Sequence, residues 1–255
     1  MTDTAPLSIQ LYTLRSLGSL DRALDAVAAA GYRHVELVGS HLDDAAATEA
    51  GLRARGLAVS GSHVSLAALR ERFDAVADAC RRLGFEQLFM PAVPPEQRDM
   101  DAAGWRALGT ELAQLADRAQ REKLKLGYHN HDWELRKKAG ETTALELIFA
   151  SAGAAPLSWE VDVAWLVRGG ADPKQWIARY RDRVAAAHVK DLAPAGQNTE
   201  QDGWADVGAG VLDWPALWRT CRDAGAAWMV VEHDKPADPP TSVRASFDYI
   251  RAMAA

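Results

Sequence analysis

The stretch LSWEVDVAWLVRGGADPKQWIARYRDRVAAAHVKD, residues 157–191, decides the fold. Its ends, LSWEVDV (157–163) and VAAAHVKD (184–191), are apolar runs too short for helices and suited to buried strands. Between them, Asp172-Pro173 reads as an N-cap followed by proline at the first helical position. Strand, helix and strand in so short a stretch form one unit of a parallel α/β protein.

The same alternation continues in both directions. Upstream lie LSIQLY (7–12), HVELV (34–38), AVSGSHV (58–64), QLFMPAV (87–93) and LKLGYHN (124–130); downstream lies AWMVVEHD (227–234). Amphipathic segments separate them. Leu66, Leu69, Phe73, Val76, Cys80 and Leu83 step by three and four, the stripe of a helix with one buried face. Trp105, Leu108, Leu112, Leu115 and Ala119 repeat it, and Leu20, Leu24 and Val27, then Trp214, Leu217, Trp218 and Cys221, give shorter versions. Gly31, Gly56, Gly84 and Gly225 mark helix stops shortly before the next strand. Eight such units predict a single-domain (β/α)8 TIM barrel over residues 1–255, with its last helix near 240–254. The rival, an open doubly wound sheet, would carry a Gly-rich dinucleotide loop after its first strand; QLYTLRSLGSL (10–20) is no such loop. Residues 192–212 form a long connection after the seventh strand, readable as an active-site cover or as a disordered insertion.

Composition narrows the function. The chain has 255 residues, 48% hydrophobic and 25% charged, an ordinary globular mix. No apolar run reaches the roughly 20 residues of a membrane span, and MTDTAPLSIQ lacks the features of a secretory signal. Cys80 and Cys221 are far apart, so neither a disulfide framework nor a thiolate zinc site is expected. A net charge of −6 argues against a nucleic-acid backbone as partner. The expectation is a cytoplasmic protein with a small-molecule partner, neither nucleic acid nor membrane; a homo-oligomer is left open.

In such a barrel the C-terminal strand ends build the active site. The residues there are Gln10, Glu36, His63, His129, His131, Glu134, Asp162, His188, Lys190, Glu232 and His233. Four successive later strands offer Glu134, Asp162, His188 and Glu232, a carboxylate-rich set with one histidine that suits one divalent ion such as Mn2+, Mg2+, Co2+ or Zn2+. Any one carboxylate could merely cap a helix, but Asp162 and Glu232 sit within apolar runs, where an unpaired charge is costly. His188 alone could be a hydrogen-bonded core histidine.

The segments QLYTLR (10–15), YHNHDWE (128–134), EVDVAWLVRGGADP (160–173), HVKD (188–191), VGAGVLDW (207–214) and VVEHD (230–234) resemble the sugar phosphate isomerase/epimerase family with the xylose isomerase-like barrel. The resemblance implies one divalent metal held by Glu134, Asp162, His188 and Glu232, with His129 or His131 as alternatives to Glu134. Two departures bear on substrate: Trp165 stands where many relatives have a histidine, and Ala209 where many have an acidic residue.

The chemistry expected is proton transfer next to a sugar carbonyl through an enediolate, giving isomerisation or epimerisation of a keto sugar, phosphorylated or not. Glu134 and Glu232 are the candidate bases. His63, His129, His131 and Lys190 would bind hydroxyls or an oxyanion. Trp165 and Trp133 would stack on the ring or pack beneath the loops. The alternatives are a keto-inositol dehydratase or 3-keto-glycoside lyase on the same chemistry. An abasic-site endonuclease, or a sugar-binding protein without catalysis, stands further off.

Overall fold

The computed structural model describes residues 6–254. Eight parallel strands close into a barrel: β1 (Leu7–Gln10), β2 (His34–Val38), β3 (Ala58–His63), β4 (Gln87–Met90), β5 (Lys125–His129), β6 (Ser158–Asp162), β7 (Val184–Val189) and β8 (Trp228–Val231). Closure comes from β1 pairing with β8, Leu7 opposite Met229 and Ile9 opposite Val231. The helices that follow the strands are α1 (Leu20–Ala30), α2 (Ala45–Ala54), α3 (Phe73–Leu83), α4 (Ala102–Arg121), α5 (Ala144–Ala152), α6 (Pro173–Arg179), α7 (Trp214–Asp223) and α8 (Pro239–Met253). No helix among the described residues is long and apolar enough to cross a membrane.

The (β/α)8 expectation holds, with local corrections. β4 stops at Met90 because Pro91 follows, which has no N–H to give a ladder. The stripe from Leu66 to Leu83 is two helices, Leu66–Glu71 and α3, broken at Arg72, where φ −133° and ψ 29° leave the helical region. The 192–212 connection is folded: Asp191–Leu192 and Trp204–Ala205 pair antiparallel, with a short 3-10 turn at Thr199–Gln201 between them. Gly31, Gly56, Gly84 and Gly225 all have positive φ at helix ends, and Asp172 caps α6 as its sequence predicts.

Alternation along each strand sorts the side chains. Ile9, Val35, Leu37, Leu88, Leu126, Val161 and Ala187 are buried in the apolar layer between barrel and helices. The opposite face carries polar groups, equally buried: Ser8, Gln10, Glu36, Ser60, Ser62, His129, Glu160, Asp162 and His188. They meet across the barrel, Ser8 Oγ lying 2.7 Å from Ser60 Oγ. Outside, α4 and α5 approach so closely at Gly109 that a Cβ there would fall on the Ile148 backbone. Burying charge inside a barrel is costly unless each group is paired, so the interior polarity marks a built site.

Candidate metal centre and active site

The upper end of the barrel interior gathers ligand-type side chains from β5 to β8. His129, Asp162, His188 and Glu232 bring one donor atom each within 4.8 Å of one another, and all four are buried. His188 Nδ1 lies 3.0 Å from Glu232 Oε2 and 3.9 Å from Asp162 Oδ2; His129 Nε2 is 3.9 Å from the same Asp162 oxygen. Asp162 owes its place to the end of β6, where its Oδ1 caps the following helical turn by accepting from Trp165 N at 2.9 Å. Its Oδ2 is buried without a hydrogen-bond partner. A buried carboxylate oxygen that accepts no hydrogen bond, ion-paired with Lys190 and facing two imidazole nitrogens and a second carboxylate, fits a divalent ion.

Lys190 supplies a fixed positive charge beside this group. Its Nζ lies 2.8 Å from Glu232 Oε2, 2.9 Å from Asp234 Oδ2 and 3.2 Å from Asp162 Oδ2, with no exposure to solvent. Burial works against ionising Glu232, but Lys190 and His188 together hold its carboxyl well below the usual range. Burial likewise opposes charge on His188, and the Glu160 and Glu232 carboxylates overcome it, raising that imidazole well above its ordinary value. His129, buried and repelled by His188, is pushed down to about 4.

Beneath lies a second layer. Glu160 Oε2 sits 2.7 Å from His63 Nε2 and 3.1 Å from His129 Nδ1. Glu36 Oε2 lies 2.8 Å from His188 Nε2 and accepts from Gln10 Nε2 at 2.7 Å. Burial and the neighbouring Glu160 charge raise Glu36 to about 7, against the pull of His63 and His188.

Above the cluster opens a cavity of about 920 Å³. His63, His129, His131, Trp133, Trp165 and Glu232 line it. His131 stacks on Trp133 with ring centroids 4.0 Å apart, and Trp165 meets Trp204 edge-on at 4.7 Å, so the aromatics both pack together and face the cavity.

The sequence-predicted residues therefore fall into two places. Asp162, His188 and Glu232 converge, and His129 completes the group. Glu134 stands apart: its carboxyl accepts from Tyr128 Oη at 2.6 Å and His131 N at 2.8 Å, outside the ligand clusters and the cavity lining. Its position three residues beyond His131 lets it brace the turn that carries His131 and Trp133, and burial raises it to about 7. Lys190, expected at the substrate, is instead sealed among the carboxylates.

Sequence reasoning assigned no role to Glu160, Asp191 or Asp234. The signal for Glu160 was the period of two, since EVD on a strand places Glu160 and Asp162 on one face. Asp191 anchors the loop after β7. Its carboxylate accepts from Leu192 N (2.9 Å), Gly208 N (3.0 Å) and Leu212 N (3.1 Å). A Cβ at Gly210 would fall on that carboxylate, so VGAG is a cradle for Asp191 that only glycine fits. Thr199, Asp202 and Trp204 of this loop line the cavity, as a cover would.

The comparisons agree with this architecture. The model of the xylose isomerase-like TIM barrel family matches residues 24–253. An inosose dehydratase of Lacticaseibacillus casei is 26% identical over 144 residues, 51% of this chain and 47% of the relative; the chain thus matches about half the length of that curated relative. A sugar phosphate isomerase/epimerase structure from Parabacteroides distasonis superposes with a TM-score of 0.78 at 22% identity, covering 100% of this chain and 96% of the other. A 3-keto-D-glucoside 4-epimerase from E. coli gives 0.71 at 15% identity, over 98% and 100%. The match along nearly the whole barrel is what the motifs from YHNHDWE to VVEHD foreshadow: the chain belongs to the xylose isomerase-like TIM barrel family.

Proposed function

We propose that the protein is a divalent-metal-dependent isomerase or epimerase that moves a proton next to the carbonyl of a keto sugar. The observation that carries this is the convergence of His129, Asp162, His188 and Glu232 at the floor of a cavity with an aromatic wall. An ion held there would polarise a carbonyl and its neighbouring hydroxyl and so acidify the C–H bond beside them.

The chain's own groups do the rest. Glu232 lines the cavity and is ionised, so it is the proton acceptor; Lys190 and His188 fix its Oε2. His63 reaches the cavity floor; burial disfavours its charge, but Glu36 and Glu160 raise it, placing positive charge near a developing oxyanion. His131, driven well below its ordinary value by burial and by His129, stays neutral and binds hydroxyls. Trp133, Trp165 and the loop residue Trp204 offer ring faces and exclude water.

A second reading, elimination from a keto-inositol or 3-keto-glycoside, is favoured by size. The cavity is near the upper end of the range for drug-sized ligands, and Val38, Leu42, Val64, Val76, Pro91 and Ala92 give it an apolar side wall. That leaves room for a leaving group beyond one sugar ring. The partial likeness to an inosose dehydratase points the same way.

Metal analysis followed by a keto-sugar panel in deuterated water tests both. Bound divalent ion and NMR-detected α-proton exchange are expected; retention of all substituents identifies an isomerase or epimerase, and loss of one a lyase. A metal-replete protein that exchanges no α-proton on any substrate of the panel would overturn the proposal.

A further inference from the structure

His129 and His188 each belong to two overlapping clusters, His129/Asp162/His188/Glu232 above and His63/His129/Glu160/His188 below. Each ring straddles the boundary. His129 turns Nε2 toward Asp162 and Nδ1 toward Glu160, at 3.9 and 3.1 Å. His188 turns Nδ1 toward Glu232 (3.0 Å) and Nε2 toward Glu36 (2.8 Å) and Glu160 (3.3 Å). Both lower carboxylates are at most 1% exposed.

A neutral imidazole has one N–H and one lone pair, and which nitrogen carries which is set by its partners. A carboxyl oxygen that already accepts an N–H is an acceptor toward a second one, as Glu36 Oε2 is from Gln10 Nε2. We propose, on the reading that the upper cluster holds one divalent ion, that Glu160 and Glu36 are positioning residues. They accept the inward N–H of His129 and His188, leaving His129 Nε2 and His188 Nδ1 as the ligating atoms. Glu160 serves His129 and His63 through one oxygen, Oε2, while its Oε1 has no hydrogen-bond partner. Glu36 is itself oriented by Gln10, so the chain of support runs from β1 to β7. A second ion in the lower cluster is the rival. It would have to strip both rings of their remaining N–H and bridge through them, whereas carboxylate support behind a metal-binding histidine is the common arrangement.

The test uses the full-length protein with Zn2+ or Mn2+. Wild-type protein should bind one ion per chain. With Zn2+ bound, nitrogen-15 NMR should show N–H at His129 Nδ1 and His188 Nε2. Glu160→Gln and Glu36→Gln should each weaken the ion about 10- to 100-fold. Their melting temperatures in EDTA should stay close to wild type, and the corresponding N–H resonance should move. Two ions per chain, or the N–H found on the upward-facing nitrogens, would overturn the proposal from wild-type protein alone. Unchanged affinity in both folded variants would overturn it as well. Binding of no ion by the wild type would be a separate failure, that of the site reading itself.

Discussion

Glu232 touches His188 and Lys190 through one oxygen and faces the cavity, which makes it the residue whose loss is most specific. Glu232→Gln keeps shape and removes the proton acceptor. Substrate α-proton exchange by NMR should fall about 10²- to 10⁴-fold, with an unchanged circular dichroism spectrum. His129 and Glu134 separate by a different measurement. His129→Ala should weaken Mn2+ at least tenfold in a binding titration, whereas Glu134→Gln should leave stoichiometry and affinity near wild type, because its carboxyl points to Tyr128 and the His131 backbone. Glu134 also carries a pH signature. Its folded-state value of about 7 lies above the unfolded value of 4.5, so the stability it contributes is full below about 4.5 and is lost as pH rises through about 7. The loss is at most about 3 kcal/mol by the usual conversion. Thermal melts in EDTA from pH 4 to 8 should show a shallower decline across that window for Glu134→Gln than for wild type.

Among the elements, the loop 192–212 depends on one carboxylate. Asp191→Ala leaves the N–H groups of Leu192, Gly208 and Leu212 without their acceptor; these donors are only partly buried, so each lost bond costs about 0.5–1.5 kcal/mol. The loop should then open: limited proteolysis should cut between residues 194 and 203, and KM should rise more than kcat falls. Protection equal to wild type would count against the anchor. This loop also shows where sequence reading ends. The strands were legible because apolar runs of strand length recur at barrel spacing, and Asp162, His188 and Glu232 because they interrupt such runs. The loop's ribbon was not, since two-residue strands carry no periodicity. The break at Arg72 was hidden because Leu69, Phe73 and Val76 keep helical spacing across it. Glu134 misled for a similar reason: sequence distance from β5 says nothing about which way a 3-10 turn aims its carboxylate.

For the whole molecule, a site built from four strands ties ion binding to barrel stability. Saturating Mn2+ at about 100 times its dissociation constant adds about 2.7 kcal/mol, which for a chain of this size raises the melting temperature by roughly 5–10 °C. Asp162→Asn should abolish that increment while remaining folded in EDTA. The increment should also shrink as pH falls. The neighbouring carboxylates hold His188 protonated despite its burial, and an ion must displace that proton. A metal-induced shift independent of pH would contradict this competition.

Lys190 has a consequence for the chain without its metal. A lysine sealed among Asp162, Glu232 and Asp234 is a resident counter-charge that no chelator can remove. Small zinc-organised domains unfold when stripped, because the free energy of binding the ion is most of their folding free energy. Here the polypeptide carries its own electrostatic keystone, so the barrel is expected to stay folded when stripped of metal: the circular dichroism spectrum in EDTA should match that of the ion-saturated protein, and unfolding on chelation would contradict it.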